Sequence, residues 1–426
     1  MTDANFILKG NICYSRDISR FQTYEKSYII CERGISRGVF DVIPEQYKTF
    51  PLFDCGEQLI IPGFTDLHVH APQFPFRGLG MDMELLDWLN TNTFPEEARY
   101  GDEVYARQMY GKFVNELKRG GTTRACIFAT VHIPATKILM ELMEESGLIS
   151  YVGKVNMDRN SPDYLREESA ECSAEDTRKW IEETGGRYRF TKPILTPRFT
   201  PSCTDELMRR LGELQKEYQL PVQSHLSENY QEIDWVKELC PAAAFYGDAY
   251  DMFGLFGRGP CTIMAHCVHS TEAEQKRMKE NGVFIAHCPE SNMNLASGVA
   301  PVKKYLAEGQ RVGLGSDVAG GSTTSIFRAM SLAIQASKLR WRLKDETVNP
   351  LTAQETFYMA TRGGGEFFGK VGSLETGYEF DALVIDDSAW DIPGRYTVGE
   401  RVERMIYLAD ERCIRAKYVA GRKCSV

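Results

Sequence analysis

Ile60-Ile61-Pro62-Gly63-Phe64-Thr65-Asp66-Leu67-His68-Val69-His70-Ala71-Pro72-Gln73 joins an apolar run to a Pro-Gly pair and then to a His-x-His motif. Alternate residues of a β-strand point to the same side. On one strand, His68 and His70 therefore aim two imidazoles at one point. A divalent metal needs several converging N or O ligands, and this pair supplies two. Two unrelated histidines on a strand would look the same, so the choice depends on what lies downstream.

Outward from this stretch, short apolar runs alternate with longer amphipathic ones. The spacing predicts strands over 59–66, 122–130, 151–158, 192–199, 221–228, 262–267, 283–288 and 311–317. It predicts helices over 102–119, 135–146, 174–184, 205–218, 232–239 and 271–281. Parallel strands need crossover helices, so eight β/α repeats imply a parallel barrel. Residues 71–101 and 318–349 are too long for plain connections. Loops after barrel strands build active sites, which makes both segments candidate walls or lids.

The flanks read differently. Phe6-Ile7-Leu8, Asn11-Ile12-Cys13-Tyr14 and Tyr28-Ile29-Ile30-Cys31 look like short strands between glycines. Beyond the barrel, 353–362 reads as a helix broken by Gly363-Gly364-Gly365, and 381–386 and 414–420 read as strands. The expected fold is α/β: a (β/α)8 TIM-like barrel over 62–372, with 1–61 and 373–426 pairing into a small composite β-sandwich that covers exposed edges.

A chain of 426 residues, 43% hydrophobic and 26% charged, has the composition of a globular protein with a large core. Its net charge of −9 disfavours a nucleic-acid or anionic-membrane binder and leaves a small molecule as the expected partner. Met1-Thr2-Asp3-Ala4-Asn5 has neither a basic nor an apolar signal region, and no apolar run approaches the ~20 residues of a spanning helix. The 12 cysteines form no Cys-x-x-Cys pair, which suits reduced thiols and a cytoplasmic location. Cys267 and Cys288 follow His266 and His287, and strand neighbours face opposite sides, which argues against both as ligands.

Polar groups collect at the ends of the expected strands. The first carries His68 and His70, the fifth His225 and Glu228, the sixth His266 and His269, and the eighth Asp317. A barrel gathers strand ends around one mouth, so residues far apart in sequence can share one ion. Three histidines and a carboxylate suit a hydrolytic metal site with room for water, whose pKa the metal lowers toward ~7 to make hydroxide. Asp317 can accept the water's proton. Glu228 can lie near the metal without binding it and pass a proton to a leaving amine. Alternatively, Glu228 is a solvated acid at a helix start.

Pro62-Gly63-Phe64-x-Asp66-x-His68-x-His70 resembles the opening motif of the amidohydrolase superfamily. The stretch from His287 to Gly298 resembles the seventh-strand motif of its deaminase and chlorohydrolase branch. Within that branch, His70-Ala71-Pro72-Gln73, Thr196-Pro197-Arg198-Phe199, His225-Leu226-Ser227-Glu228 and 315–321 are most similar to the enzymes that act on guanine. The resemblance implies one Zn²⁺ (or Fe²⁺) per chain on His68, His70, His225 and Asp317. It implies His266 as the group orienting water or substrate, and Glu228 as proton shuttle. It also implies purine recognition by Gln73, Arg198 and Phe199, with conversion of guanine and water to xanthine and ammonia in purine catabolism or salvage, and a homodimer. His269 departs from the branch and fits a surface or supporting role; His132 and His287 fit hydrogen-bonded structural roles. Arg198 in a purely structural ion pair is the competing reading of that residue. The rival functions are an aminohydrolase of another purine or a triazine, and a barrel kept as a non-catalytic binding protein.

Overall fold

A computed structural model describes residues 5–390 and 395–424; Met1 to Ala4, on which the reading of the start depends, lie outside the described residues. The strands β1 (Phe6–Asp17), β2 (Arg20–Glu32), β3 (Ile35–Phe40) and β4 (Leu52–Pro62) open the chain. Phe6-Ile7-Leu8 and Asn11 to Tyr14 belong to the single strand β1, which takes up a register shift between Gly10 and Ile12. The following strands are β5 (Phe64–His70), β6 (Thr122–Phe128), β7 (Ile149–Gly153), β8 (Val155–Asn156), β9 (Thr191–Pro193), β10 (Thr196–Pro197), β11 (Val222–Leu226), β12 (Thr262–His266), β13 (Phe284–His287) and β14 (Arg311–Leu314). After them come β15 (Ala382–Ile385), β16 (Ile414–Val419) and β17 (Arg422–Cys424).

Two parallel sheets of four strands, β5-β6-β7-β9 and β11-β12-β13-β14, form the centre. Backbone bonds join them on both sides. Gln223 N–H donates to Leu195 O at 2.9 Å, and Leu195 N–H to Pro221 O at 3.0 Å. Across the other seam Asp317 N–H donates to His68 O at 2.9 Å, and His70 N–H to Val318 O at 3.2 Å. With helices between successive strands, this is a TIM-barrel-like α/β fold. The expected third and fourth strands are each split, into β7 and β8 and into β9 and β10. Pro193 and Pro197 lack the N–H that an unbroken ladder requires.

The expected first strand, 59–66, is corrected: it spans two sheets. Leu59 to Pro62 finish β4, which pairs with β1 and β15, and β5 begins only at Phe64. Gly63 makes the jog. A Cβ there would lie 2.3 Å from Thr123 Cγ2, so the chains pass too close for any side chain. The apolar run Leu59-Ile60-Ile61 shows no alternation because both its faces are covered. Leu59 and Ile61 enter the main core, and Ile60 packs with Phe6, Leu8 and Phe380 in a second cluster.

The terminal strands form one seven-stranded sheet in the order β17-β16-β15-β4-β1-β2-β3. The expected sandwich is therefore a single sheet among the described residues. Helix Val398–Leu408 buries Val398, Val402, Met405 and Ile406 in the core that this sheet shares with the barrel. The long segment 318–349 is mostly the helix Ile326–Leu343, with Ser325 as its N-cap, rather than a loop. Gly363-Gly364-Gly365 does not break its helix: helical turns continue to Phe368. These glycines serve close approach, since a Cβ on Gly364 would lie 2.1 Å from Thr65 Oγ1. No helix among the described residues is long and apolar enough to cross a membrane.

Candidate active site

The strand ends expected to carry chemistry do converge. His70 Nε2 lies 3.2 Å from His68 Nε2 and 3.2 Å from His225 Nε2. Asp317 Oδ1 is 3.2 Å from His68 Nε2 and 3.6 Å from His70 Nε2. His266 Nε2 is 3.3 Å from Glu228 Oε2 and 3.7 Å from Asp317 Oδ2. The backbone bends sharply to aim these groups. Ser227, His266 and Asp317 all adopt positive φ, at 46°, 72° and 48°. Such conformations cost non-glycine residues roughly 1–3 kcal/mol each and are held only where the surroundings demand them.

Asp66 is one such demand. Buried behind the histidines, its carboxylate accepts from His68 N–H at 3.2 Å and Ser316 N–H at 3.0 Å, and also from the Ser316 hydroxyl. It thereby fastens the turn that carries Asp317 to the strand that carries His68. Burial pushes the Asp66 carboxyl up to about 7.

The cluster fits a divalent ion on its donor chemistry. Zinc–nitrogen bonds of ~2.0–2.1 Å in a tetrahedron put neighbouring ligand atoms about 3.3 Å apart. The imidazole spacings of 3.2 Å match that geometry. Hydrogen bonds alone serve it badly, because a single Nε2–H on His70 can donate to only one of its two neighbours. His225 Nδ1 lies 2.6 Å from Arg198 O; donating there leaves the Nε2 lone pair free. Burial, reinforced by neighbouring imidazoles, keeps His70 and His225 well below the usual histidine range, and burial lowers His68 too, so all three favour the neutral form that binds metal. Burial pushes Asp317 up, yet His68 and His266 outweigh it and bring the carboxyl down to about 2.

Glu228 is tuned the other way. Burial, aided by the charges of Glu232 and Asp317 and opposed by His266, raises its carboxyl to about 7. Its Oε1 accepts from Ser297 Oγ–H at 3.0 Å. The alternative of a helix-start acid is taken by its neighbours: Asn229 caps the helix Tyr230–Leu239, and Glu232 completes the capping box. Burial lowers His266, but Glu228 and Asp317 raise it more, so its net shift is upward. Its Nδ1 lies 2.9 Å from Asn292 Oδ1.

His70, His225, Glu228, His266 and Asp317 line one cavity of about 430 Å³, mouth included, with Gln73, Arg198 and Phe199 in its wall, and the buried His68 lies behind that lining. Leu85, Trp88 and Leu89 from the segment 71–101 complete an apolar side, so that segment does form a wall. Arg198 is in a buried ion pair as well, with Nη1 2.6 Å from Glu97 Oε2. The ion pair of the competing reading is thus present, and a guanidinium with five N–H donors keeps others beyond it.

Residues 59–424 match the Amidohydrolase family. Guanine deaminase of Dictyostelium discoideum is 40% identical over 380 residues, covering 87% of this chain and 84% of that protein. Guanine deaminase of Mus musculus is 40% identical over 380 residues, covering 86% and 83%. A crystal structure of guanine deaminase from C. acetobutylicum, with guanine bound in its active site, superposes with a TM-score of 0.96 at 48% identity, over 99% of this chain and 100% of that one. The chain belongs to the guanine deaminases of the amidohydrolase family.

Several groups around this cavity were not assigned from sequence. Glu97, Glu232, Asn292 and Ser297 all touch residues of the expected set. Of these, only Glu232 had a legible signal, as the N3 acid of a capping box. Cys288 Sγ lies within 4.8 Å of ligand atoms of His266 and Asp317, although strand alternation argued for the opposite side. The chain has left β13 by then, and Cys288 (φ −112°, ψ 74°) is no longer extended. His269 remains outside the cluster, stacked on Tyr230 with Nε2 2.7 Å from Ser297 O. His287 is buried and pushed down to about 3 by that burial.

Proposed function

We propose that the protein hydrolyses guanine to xanthine and ammonia, with His68, His70, His225 and Asp317 holding one zinc ion. When bound, the ion supplies a water of lowered pKa for attack on the ring. The attacking water brings two protons. Glu228 takes the first and passes it to a ring nitrogen, where xanthine keeps it. It then takes the second, released as the new C2 hydroxyl becomes a carbonyl, and passes it to the departing amine. The C2–O bond forms, the C2–N bond breaks, and the amine leaves as ammonia. A carboxyl raised to about 7 suits both halves of that cycle, since it accepts and returns a proton at neutral pH. His266, set between Glu228 and Asp317, orients the attacking water or the substrate.

One observation carries the reading: Arg198 and Gln73 share the cavity wall with Glu228, His70, His225 and Asp317. A guanidinium only donates, so Arg198 suits the oxygen at C6 of guanine and opposes the amine at C6 of adenine. Phe199, packed edge-on against Trp235, supplies an apolar wall for the ring. Sites built on buried hydrogen bonds reject unsuitable analogues by roughly 10⁴-fold. The test is xanthine formation from guanine with and without a chelator, with adenine as the competing base. Turnover of guanine that chelation stops supports the reading. Absence of guanine turnover by the zinc-loaded protein overturns it.

A further inference from the structure

Glu97 sits in the short helix Phe94–Ala98 within the wall segment, only 1% exposed. Its two carboxylate oxygens are divided between the two polar side chains of the recognition wall. Oε1 accepts from Gln73 Nε2 at 3.0 Å, and Oε2 accepts from Arg198 Nη1 at 2.6 Å. Its neighbour Glu96 turns away to Arg99 and Tyr105. We propose that Glu97 is a positioning residue that sets the hydrogen-bonding polarity of the base-recognition wall, making Gln73 and Arg198 present donors to the ring. The proposal rests on the functional reading above.

The logic lies in what each group can do. A carboxylate only accepts, and a backbone N–H only donates. Gln73 lies between one of each: its Nε2 meets Glu97, and its Oε1 accepts from Ala319 N–H at 3.1 Å. Reversing the amide would set oxygen against oxygen and nitrogen against N–H. Its orientation is therefore determined by its neighbours, and the uncommitted hydrogen is the second N–H of the amide. Arg198 is tied by one nitrogen and keeps its other donors. The pair thus favours a ligand edge that accepts hydrogen bonds and disfavours one that donates. Glu97 also supplies the anion that the buried Arg198 side chain needs.

An amide at position 97 removes the charge and can itself donate, which lifts one of the two restraints on the Gln73 amide and leaves only the Ala319 N–H to hold it. Glu97→Gln is compared with the unaltered zinc-loaded protein on two bases. Guanine has the reacting amine at C2 and an oxygen at C6; 2-aminopurine has the same amine and no oxygen. The expected result is a loss of about 10- to 100-fold in kcat/KM for guanine, mostly in KM, with zinc content unchanged. The guanine to 2-aminopurine preference falls about tenfold or more. Gln73→Ala combined with Glu97→Gln loses less than the product of the single losses, because the two groups act as a unit. A residue that served only the fold would lower the melting temperature and scale both bases alike. If Glu97→Gln does not fold, Glu97→Asp, which keeps the charge but is one methylene shorter, reports the same preference. A preference unchanged within about twofold in the folded variant overturns the role of Glu97. Failure of the unaltered protein to turn over guanine overturns the functional reading itself, so the two failures are distinguishable.

Discussion

Arg124 and Lys417, at the junction of the seven-stranded sheet with the barrel, are buried basic side chains, as Arg198 is at the opposite mouth, and burial pushes Lys417 down to about 7. At the junction both groups bond to partners within the protein. Arg124 Nε and Nη2 reach Asp381 at 2.7 and 3.2 Å, and Nη2 reaches Glu379 at 2.8 Å. Lys417 Nζ has three donors and meets three carbonyls: Leu117 O at 2.9 Å, Lys118 O at 2.8 Å and Thr122 O at 3.1 Å. Leu117 and Lys118 lie in the last turn of the helix Glu103–Arg119, where carbonyls lack intrahelical partners and a cation is favoured. At the mouth, the imidazole nitrogens of His68, His70 and His225 face one another, and positive φ at His266 and Asp317 turns those two groups toward them. Buried polarity that is satisfied internally holds the fold. Buried polarity left in mutual opposition holds capacity for a ligand.

The first way to break this comparison is to remove the ion the mouth is built for. Chelation should abolish guanine turnover, and added zinc should restore it, while circular dichroism shows the sheet and barrel still folded. Full turnover in demonstrably metal-free protein would refute the metal site.

Next in size is Glu228→Gln. An amide cannot move protons at neutral pH, so kcat should fall roughly 10²–10⁴-fold with zinc retained. The melting temperature should hold or rise, since a strained buried carboxyl is neutralised. In the unaltered protein Glu228 must begin ionised, and its carboxyl is raised to about 7. On that basis kcat/KM should fall as pH drops below about 7, tenfold per unit at the limit, and the variant should lack this limb. Retained turnover per zinc in the variant would remove Glu228 from the proton path.

The junction should behave in the opposite sense. Arg124→Met leaves the fully buried Asp381 carboxylate without its cation, which costs about 3–5 kcal/mol of stability. Thermal unfolding should move down by several degrees, while kcat/KM per folded molecule stays unchanged. A kinetic defect without a thermal one would dissolve the distinction between the two regions.

Lys417→Met should show the smallest effect of the four. It keeps an apolar stem and strands three carbonyls, for a loss of about 2–3 kcal/mol by chemical denaturation. If it instead impairs catalysis per folded molecule, the junction communicates with the mouth.

Much of the mouth was legible in the sequence because strand chemistry is local. His68 and His70 share a side since side chains alternate with a period of two, and β/α repetition brings strand ends together. The expected helix 205–218 coincides with Asp205–Tyr218, where a strong amphipathic pattern lies between Thr204 as N-cap and Gln219 in the left-handed conformation. The seam at Gly63 was not legible, because an apolar run covered on both faces carries no period to mark where one sheet ends. Nor was the helix Ile326–Leu343, which follows a polar, glycine-rich start that reads as loop.

By itself, then, the sequence determined the repeating β/α order, the alternation that aims His68 and His70 together, and the acids and imidazoles at the strand ends. Only the tertiary structure decided what those groups meet. Glu97 and Arg198 stand 101 residues apart, and nothing periodic connects them. Asp66 fastens Ser316 from 250 residues away, and Gln73 takes its orientation from Glu97 and Ala319. Backbone periodicity is a short-range property written in every few residues. A hydrogen bond between distant segments exists only after the chain has closed on itself.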